Sequence, residues 1–441
     1  MTANEPDVGD GTREGRSLSL RQNFSWTFVG NVVDGACKWG MLVILAKLGS
    51  PEMVGEYSLG LAVTAPVIMF LNLQLRAVQV TDAKHEHSFG RYMALRLITT
   101  AVGLCVIAAA SGLASPEHRL DLALIIIAVG IGKSFESLSD ILFGAAQQRE
   151  RMDIVAKSMI LRGPLTLLGM ALGVYLTKGV LWGSIGVALA LLLRLMTYDA
   201  RRCGGVLRGE ATRAAETSSG ATWLDAIRPH WDWRGLLQIA TMALPLGFVM
   251  MLGSLNTNIP RYFIQAHLGE RELGIFCALA YMQVAGGTII AALAQSASPR
   301  LAKLYAARNA DGFRSLMLKL MGIGAAVGAT GLLVAFAVGE PVLTLLYKPE
   351  YGAHADLFCW LMVAAAVSYV ASFLGYGMTA TRRFAVQLPL NLSVTAATFL
   401  ACLFLVPRFG LKGAAMALII GNIPRLVGSL AVNLSALRAL R

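Results

Sequence analysis

Blocks of about 20 apolar residues recur along almost the whole chain, and a helix of that length spans the ~30 Å hydrocarbon core of a bilayer. No other feature narrows the fold as far. The blocks fall at roughly 23–46, 56–80, 92–113, 120–144, 154–176, 180–200, 236–264, 273–296, 314–337, 355–378, 385–406 and 412–434. Backbone N–H and C=O groups in lipid must bond within their own segment, so each block is read as a helix. The apolar/polar alternation of a membrane barrel is missing. The fold class is therefore all-α, a polytopic membrane protein with twelve transmembrane helices. A hydrophobic share of 56%, a charged share of 15% and a mean hydropathy of +0.61 agree.

Lys and Arg in the loops set the orientation. The even-numbered loops and both ends are basic, with Arg201, Arg202, Arg208, Arg213, Arg228 and Arg234 in the sixth and Arg300, Lys303, Arg308 and Arg314 in the eighth. The odd-numbered loops are poor in bases, holding Lys47, Arg119, Lys178, Arg271, Lys348, Arg408 and Lys412. The bias is about threefold, and places both termini in the cytoplasm. An anionic leaflet facing basic loops accounts for the net charge of +12 without nucleic acid. No cleavable signal peptide is read at the start of the chain.

The chain repeats its own plan. LAKLGSPEMVGEYSLGLA runs from Leu45 to Ala62, and IQAHLGERELGIFCALA from Ile264 to Ala280. Leu48-Gly49 aligns with Leu268-Gly269, Glu52 with Glu272, Gly55 with Gly274 and Tyr57 with Phe276, half a chain apart. Parallel six-helix repeats are a transporter plan in which two bundles rock around a central pathway. The expected organisation is a disordered tail over 1–20, an N-terminal six-helix lobe over 21–203, an interlobe linker over 204–234 and a C-terminal six-helix lobe over 235–441, with a central cavity between the lobes. The linker contains WLDAIRPHWDW, Trp223 to Trp233, whose tryptophans and bases suit an interfacial helix.

Eight bases lie at or within the spans: Lys38, Arg76, Lys133, Arg162, Arg194, Arg261, Lys319 and Arg425. Each needs a partner inside the bundle, a wet cavity or an interface to snorkel to. Arg194 and Lys319, near basic ends, are expected to snorkel. Lys38 follows Asp34 by four residues, which puts both on one helix face above Asn31. That polar stripe points to a cavity, although a self-neutralising structural pair gives the same pattern. Arg76 stands with Gln74 and Gln79; Arg261 follows Asn256, Thr257 and Asn258; Arg425 accompanies Asn422. Asn258 falls at the depth of Lys38 in the other half. Lys133, Glu136 and Asp140 read as an internal ion pair with one further carboxylate. Lys38, Asp34, Arg76, Asn258, Arg261 and Arg425 are thus the candidate substrate-binding residues. Cations in a low-dielectric vestibule attract an anion, with phosphate or pyrophosphate foremost.

Other chemistry is sparse. No P-loop, GxSxG, HExxH or dinucleotide fingerprint occurs, so neither catalytic residues nor a cofactor is expected. The six cysteines show no CxxC spacing and read as reduced residues. His85 and His87 flank Glu86 without a third ligand cluster, so no metal is expected. Small-residue runs, GMALG from Gly169 and GAAVG from Gly324, suit close helix packing.

The run LxxLGxxExxGxYSLxLA, carried by Gly49, Glu52, Gly55 and Tyr57, resembles the polysaccharide transporters of the multidrug/oligosaccharidyl-lipid/polysaccharide exporter superfamily, the O-antigen and exopolysaccharide flippases. SPRLAKLY, Ser298 to Tyr305, adds support, and the resemblance covers residues 20–436. It implies a flippase, not an enzyme, moving undecaprenyl-pyrophosphate-linked oligosaccharide across a bacterial inner membrane by alternating access. It also implies a cationic cavity, which Lys38 and Arg76 match by position, and polysaccharide biosynthesis as the setting, with a polymerase as a possible partner. The alternative is a cation-coupled multidrug exporter of the same fold, which would want an acidic cavity; Asp34 and Asp140 keep it open.

Overall fold

The computed structural model describes residues 20–82, 86–114, 120–214, 222–381, 383 and 386–438. The expected tail lies outside them, apart from Leu20, and so does His85. The described residues are mostly helical, joined by short turns: α1 (Leu20–Leu48), α2 (Pro51–Leu71), α3 (Leu75–Thr81), α4 (Phe89–Ala114), α5 (Leu120–Gln148), α6 (Met152–Thr177), α7 (Val180–Arg194), α8 (Ala200–Ala214), α9 (Trp223–Ala226), α10 (Trp233–Leu268), α11 (Glu270–Ala306), α12 (Ala310–Leu346), α13 (Pro349–Gly352), α14 (Ala355–Ala380) and α15 (Gln387–Arg438). A π-helical turn, Leu195–Asp199, joins α7 to α8.

Among the described residues, eleven helices are long and apolar enough to cross a bilayer. Twelve separate spans were expected. The difference lies in α15, whose 52 residues would stretch about 78 Å as one rod, far beyond a bilayer. At Gly410 its backbone turns left-handed, with φ 58° and ψ −134°, a conformation glycine adopts without a Cβ penalty. Beyond it the chain doubles back, so that Gly413 faces the Leu405 backbone, Gly421 faces Thr398 and Gly428 faces Leu390. The last two hydrophobic blocks are the arms of this hairpin.

The helices form two bundles. In the N-terminal lobe α1 packs on α6, α6 on α7, and α5 on α4, α2 and α7; in the C-terminal lobe α14 packs on α11, α12 and α15. The lobes meet chiefly where α2 crosses α10 and α11. Two observations concern the segment between them. The expected linker begins inside α8, and the expected interfacial helix over Trp223–Trp233 is a single turn, α9, closed by a Thr222–Asp225 capping box. The chain then binds back to the first lobe, where the His230 N–H donates to Gly90 and Arg91 pairs with Asp232 at 2.8 Å.

The hydrophobic core is continuous between lobes at one end and divided at the other. At the end carrying the base-poor loops, one cluster unites Leu45, Val54 and Val174 with Ile264, Phe276, Tyr347 and Ala415. At the basic end there are two clusters. One holds Leu73, Tyr92, Ile141 and the first turns of α10; the other holds Leu301, Phe313, Phe373 and Leu374. The lobes are therefore closed at the base-poor end and splayed at the basic end. Closure depends on the repeated motif. A Cβ on Gly55 would lie 1.9 Å from the Glu270 carbonyl, and one on Gly274 would lie 1.8 Å from that of Pro51. No side chain fits at either crossing point, so the two aligned glycines let the starts of α2 and α11 touch backbone to backbone. Arg271 bridges the seam to Glu52 at 3.0 Å while pairing with Glu350 of its own lobe at 3.1 Å, and Lys348 donates across it to the Gly49 carbonyl at 2.6 Å.

Candidate functional site

Splaying the lobes leaves a cavity of about 1320 Å³ between them. Its wall runs from Leu61 and Phe276, just beneath the crossing, down to Arg76, Thr379 and Gln387 at the basic end. A second chamber of about 220 Å³ lies beside it, lined mostly by the N-terminal lobe and closed by Arg261, Cys277 and Tyr281 of the other lobe. The two share Leu61, Lys133, Glu136, Arg162 and Arg261 as a common wall.

The candidate residues divide between these spaces. Arg76, Asn258, Arg261 and Arg425 line the large cavity. Lys38 and Asp34 line the side chamber, together with Arg261. The expected i, i+4 pair exists, with Lys38 Nζ 2.9 Å from Asp34 Oδ2. It is only part of a larger network. Arg162 Nε donates to Asp34 Oδ1 at 2.6 Å, and its Nη2 pairs with Asp34 Oδ2. Arg162 also reaches Glu136 at 3.4 Å, and Glu136 holds Lys133 at 2.7 Å. Asp34 is thus held from α1 and α6 together, and Arg162 joins two carboxylates that no single helix brings together. Asn31, expected on the same stripe, is exposed and lines neither space.

Arg76 lies on α3, past a break in the second span where Leu73 and Gln74 both adopt left-handed φ of 51°. Its Nε donates to Gln147 at 2.9 Å and its Nη1 to Asp140 at 3.2 Å. Asp140, read from sequence as a spare carboxylate, is a shared acceptor. Fully buried Arg96 binds it from the other side at 3.4 Å and also donates to Asn72 Oδ1. Arg194 departs from its expected snorkelling. It is wholly buried, paired with Asp199 at 3.1 Å and donating to Ser139 at 2.8 Å. The π turn supplies the reason: it places Asp199 five residues on, beside the Arg194 fork, while Ser158 donates to the same carboxylate at 2.6 Å. Sequence reading gave Arg96 no role, because it sits among loop bases at the start of its span. Its signal was its place seven residues into α4, about two turns in from the helix start.

The C-terminal lobe presents a different wall. Arg261 donates to Asn258 Oδ1 at 3.1 Å, its own helix neighbour. Arg425 forms no ion pair among the described residues. Among the described residues no Asp or Glu of this lobe lines the cavity; its other polar side chains are amides, hydroxyls and phenols, including Asn256, Gln283, Ser372, Tyr376, Asn391 and Asn422, set among apolar residues such as Val249, Phe276 and Leu390. Asn256 Oδ1 and Gln283 Nε2 are buried without a protein partner. Arg261 lies about 10 Å below the base-poor end of α10, whereas Arg425 lies about 22 Å past the α15 turn, so the two cations stand at different depths.

No family model matches the chain. It is 27% identical over 411 residues to "Capsular polysaccharide biosynthesis protein CapF" of Staphylococcus aureus, across 92% of this chain and 97% of that protein. It superposes on an inward-facing multidrug resistance MATE family transporter of the MOP superfamily with a TM-score of 0.69 at 14% identity, covering 97% of this chain and 96% of that one. The lipid II flippase MurJ, in an inward closed conformation, gives 0.68 at 10% identity, covering 95% and 91%. The chain shares the fold of these two solved structures, as the resemblance read from the motif around Gly49 and Tyr57 implies.

Proposed function

We propose that the chain is a flippase that carries undecaprenyl-pyrophosphate-linked oligosaccharide from the cytoplasmic to the outer leaflet of a bacterial inner membrane, for exopolysaccharide, capsule or O-antigen synthesis. The observation that carries this reading is the composition of the cavity wall. Arg76, Lys133, Arg162, Arg261 and Arg425 outnumber Glu136 and Asp140, which are both ion-paired. Such a wall attracts a diphosphate, and the amides and hydroxyls around the C-lobe arginines offer donors and acceptors to sugar hydroxyls. The names of the CapF and MurJ relatives support the same substrate class. The protein acts as a carrier without catalysing covalent chemistry. The multidrug-exporter alternative needs free acids in the cavity, and Asp34, Glu136 and Asp140 are each held by bases.

In this reading the basic end faces the cytoplasm, both termini lie there, and the splayed state receives substrate from the inner leaflet. The lobes, 21–203 and 235–441, rock so that the α2–α11 crossing parts to release cargo outward, and a polysaccharide polymerase takes the product. The test uses the full-length protein in proteoliposomes with a fluorescent polyprenyl-diphosphate oligosaccharide. Exposure of the label to an external quencher should rise only with protein present. Cysteines at 53 and 272, in a background without native cysteines, flank the crossing midway between Pro51–Gly274 and Gly55–Glu270 contacts. Their crosslinking should stop flipping, and reduction should restore it. Movement of a cationic dye but not of the lipid would transfer the assignment to the multidrug reading.

A further inference from the structure

Beside the α2–α11 crossing, a second element closes the base-poor end. α12 does not run straight into its last turns. Val338 leaves the helical region, with φ −138° and ψ 23°, and Pro341 has no N–H to give the Ala337 carbonyl. Residues 339–352 are therefore an arm set at a kink from the long body of α12. The arm folds back on itself: a Cβ on Gly352 would lie 2.4 Å from the Thr344 hydroxyl. The rings of Tyr347 and Tyr351 stand 5.1 Å apart, and both are buried.

This arm reaches out of the C-terminal lobe onto α1. Trp39 Nε1 donates to the Tyr347 hydroxyl at 3.2 Å, and that hydroxyl donates to the Ala278 carbonyl of α11 at 2.9 Å. Lys348 takes the Gly49 carbonyl, just past the end of α1. The two anchor points are about three turns apart, so the arm grips the whole outer part of α1. Apart from this grip α1 belongs to its own lobe, packing chiefly on α6 and only lightly on α11. One group on the arm works against closure. The Tyr351 hydroxyl is buried without a hydrogen-bond partner among the described residues, and an unsatisfied buried hydroxyl carries a desolvation cost that water relieves on opening. The Trp39–Tyr347 bond and the Tyr351 hydroxyl thus act in opposite directions on one short segment.

We propose that residues 339–352 form a strap that latches the outer part of α1 to the C-terminal lobe, and that its release is a step of outward opening distinct from the parting of α2 from α11. The place of this step in a transport cycle rests on the flippase reading; the latch itself does not. The two closures differ in kind. The crossing is backbone against backbone at Gly55 and Gly274, where nothing flexible intervenes. The strap is held by side-chain hydrogen bonds and carries its own kink, so it lifts from α1 while the crossing stays shut. Because Trp39 directly follows Lys38, the helix that the strap holds is also the one that lines the side chamber.

The experiment measures distances between pairs of spin labels on the full-length protein in lipid nanodiscs, without cargo and with native cysteines replaced. Labels at 47 and 353, exposed positions at the end of α1 and just past the strap, report the latch. Labels at 53 and 272 report the crossing. Tyr347→Phe keeps the ring but removes the hydroxyl, and Trp39→Phe removes the donor. Each should raise the ratio of long to short 47–353 distances about tenfold, as expected for losing one buried hydrogen bond, with the 53–272 distribution unchanged. Tyr351→Phe should do the reverse and lower that ratio, because it removes only the unpartnered hydroxyl. That variant keeps the test decisive should Tyr347→Phe fail to accumulate. Wild-type 47–353 distances in Trp39→Phe would overturn the proposal. So would a Tyr351→Phe protein whose strap loosens, or equal changes at both label pairs in every variant, which would make the outer closure one rigid unit. The expected distances in a protein that flips no lipid would leave the strap standing and remove the flippase reading.

Discussion

The two walls of the cavity handle buried charge in opposite ways. On the N-terminal side each base has a carboxylate: Arg76 has Asp140, Lys133 has Glu136, and Arg162 has both Asp34 and Glu136. On the C-terminal side Arg261 has only the amide of Asn258, and Arg425 has no ion pair among the described residues. Paired charge fixes helices to one another but has little left for a ligand. Unpaired charge holds nothing together and stays available. The N-lobe wall is thus built to keep its shape, while the C-lobe wall is built to be occupied.

The largest effect that would break this contrast is on stability. Arg162→Ala strands Asp34 and Glu136, and removing one member of a buried ion-pair network costs about 3–5 kcal/mol. The protein should fail to accumulate in the membrane or should melt far below wild type in detergent. Arg425→Ala strands no carboxylate and should shift stability by no more than about 0.5 kcal/mol, yet its initial rate of lipid flipping should drop about tenfold or more, as expected for losing a charge-assisted hydrogen bond to phosphate. Comparable melting curves for the two variants would mean that the walls do not differ as described.

An intermediate effect tests Lys38, which stands on the border between pairing and binding. Its side chain is 41% exposed, and Asp34 keeps Arg162 when Lys38 is removed. Lys38→Ala should therefore cost only about 1 kcal/mol while abolishing flipping, and Lys38→Arg should retain part of the activity. If Asp34→Asn restores flipping to Lys38→Ala, the pair is structural and Lys38 belongs to the N-lobe scaffold. If it does not, Lys38 contacts the cargo.

The smallest effect concerns Arg271, which bridges the lobes at the base-poor surface and is about half exposed. Water screens its pairs with Glu52 and Glu350, so Arg271→Ala should change stability by less than about 1 kcal/mol. Gly274→Val should instead disrupt closure outright, because its side chain has no room beside the Pro51 carbonyl. An Arg271→Ala defect as large as that of Gly274→Val, read by crosslinking at 53 and 272, would show that charge rather than backbone contact closes the crossing.

Much of this was legible in the chain. Hydrophobic length sets the spans, since a bilayer accepts only satisfied backbone over a fixed thickness. The Lys and Arg bias sorts the two ends, and the repeat of Gly55 at Gly274 marks the halves. The Asp34–Lys38 and Lys133–Glu136 pairs follow from helical spacing alone, because partners three or four residues apart share a face. Tertiary structure decided the rest. Asp34 meets Arg162 from 128 residues away, Asp140 collects Arg76 and Arg96 from two other helices, and a π turn turns Arg194 inward. It also decided that Gly55 and Gly274 touch across the lobes, and that Lys38 lies in a side chamber while Arg425 faces the main cavity. Spacing along one helix specifies a face, but not what that face meets; the partner is chosen by the crossing of helices remote in sequence, and the need to compensate each buried charge selects the crossing.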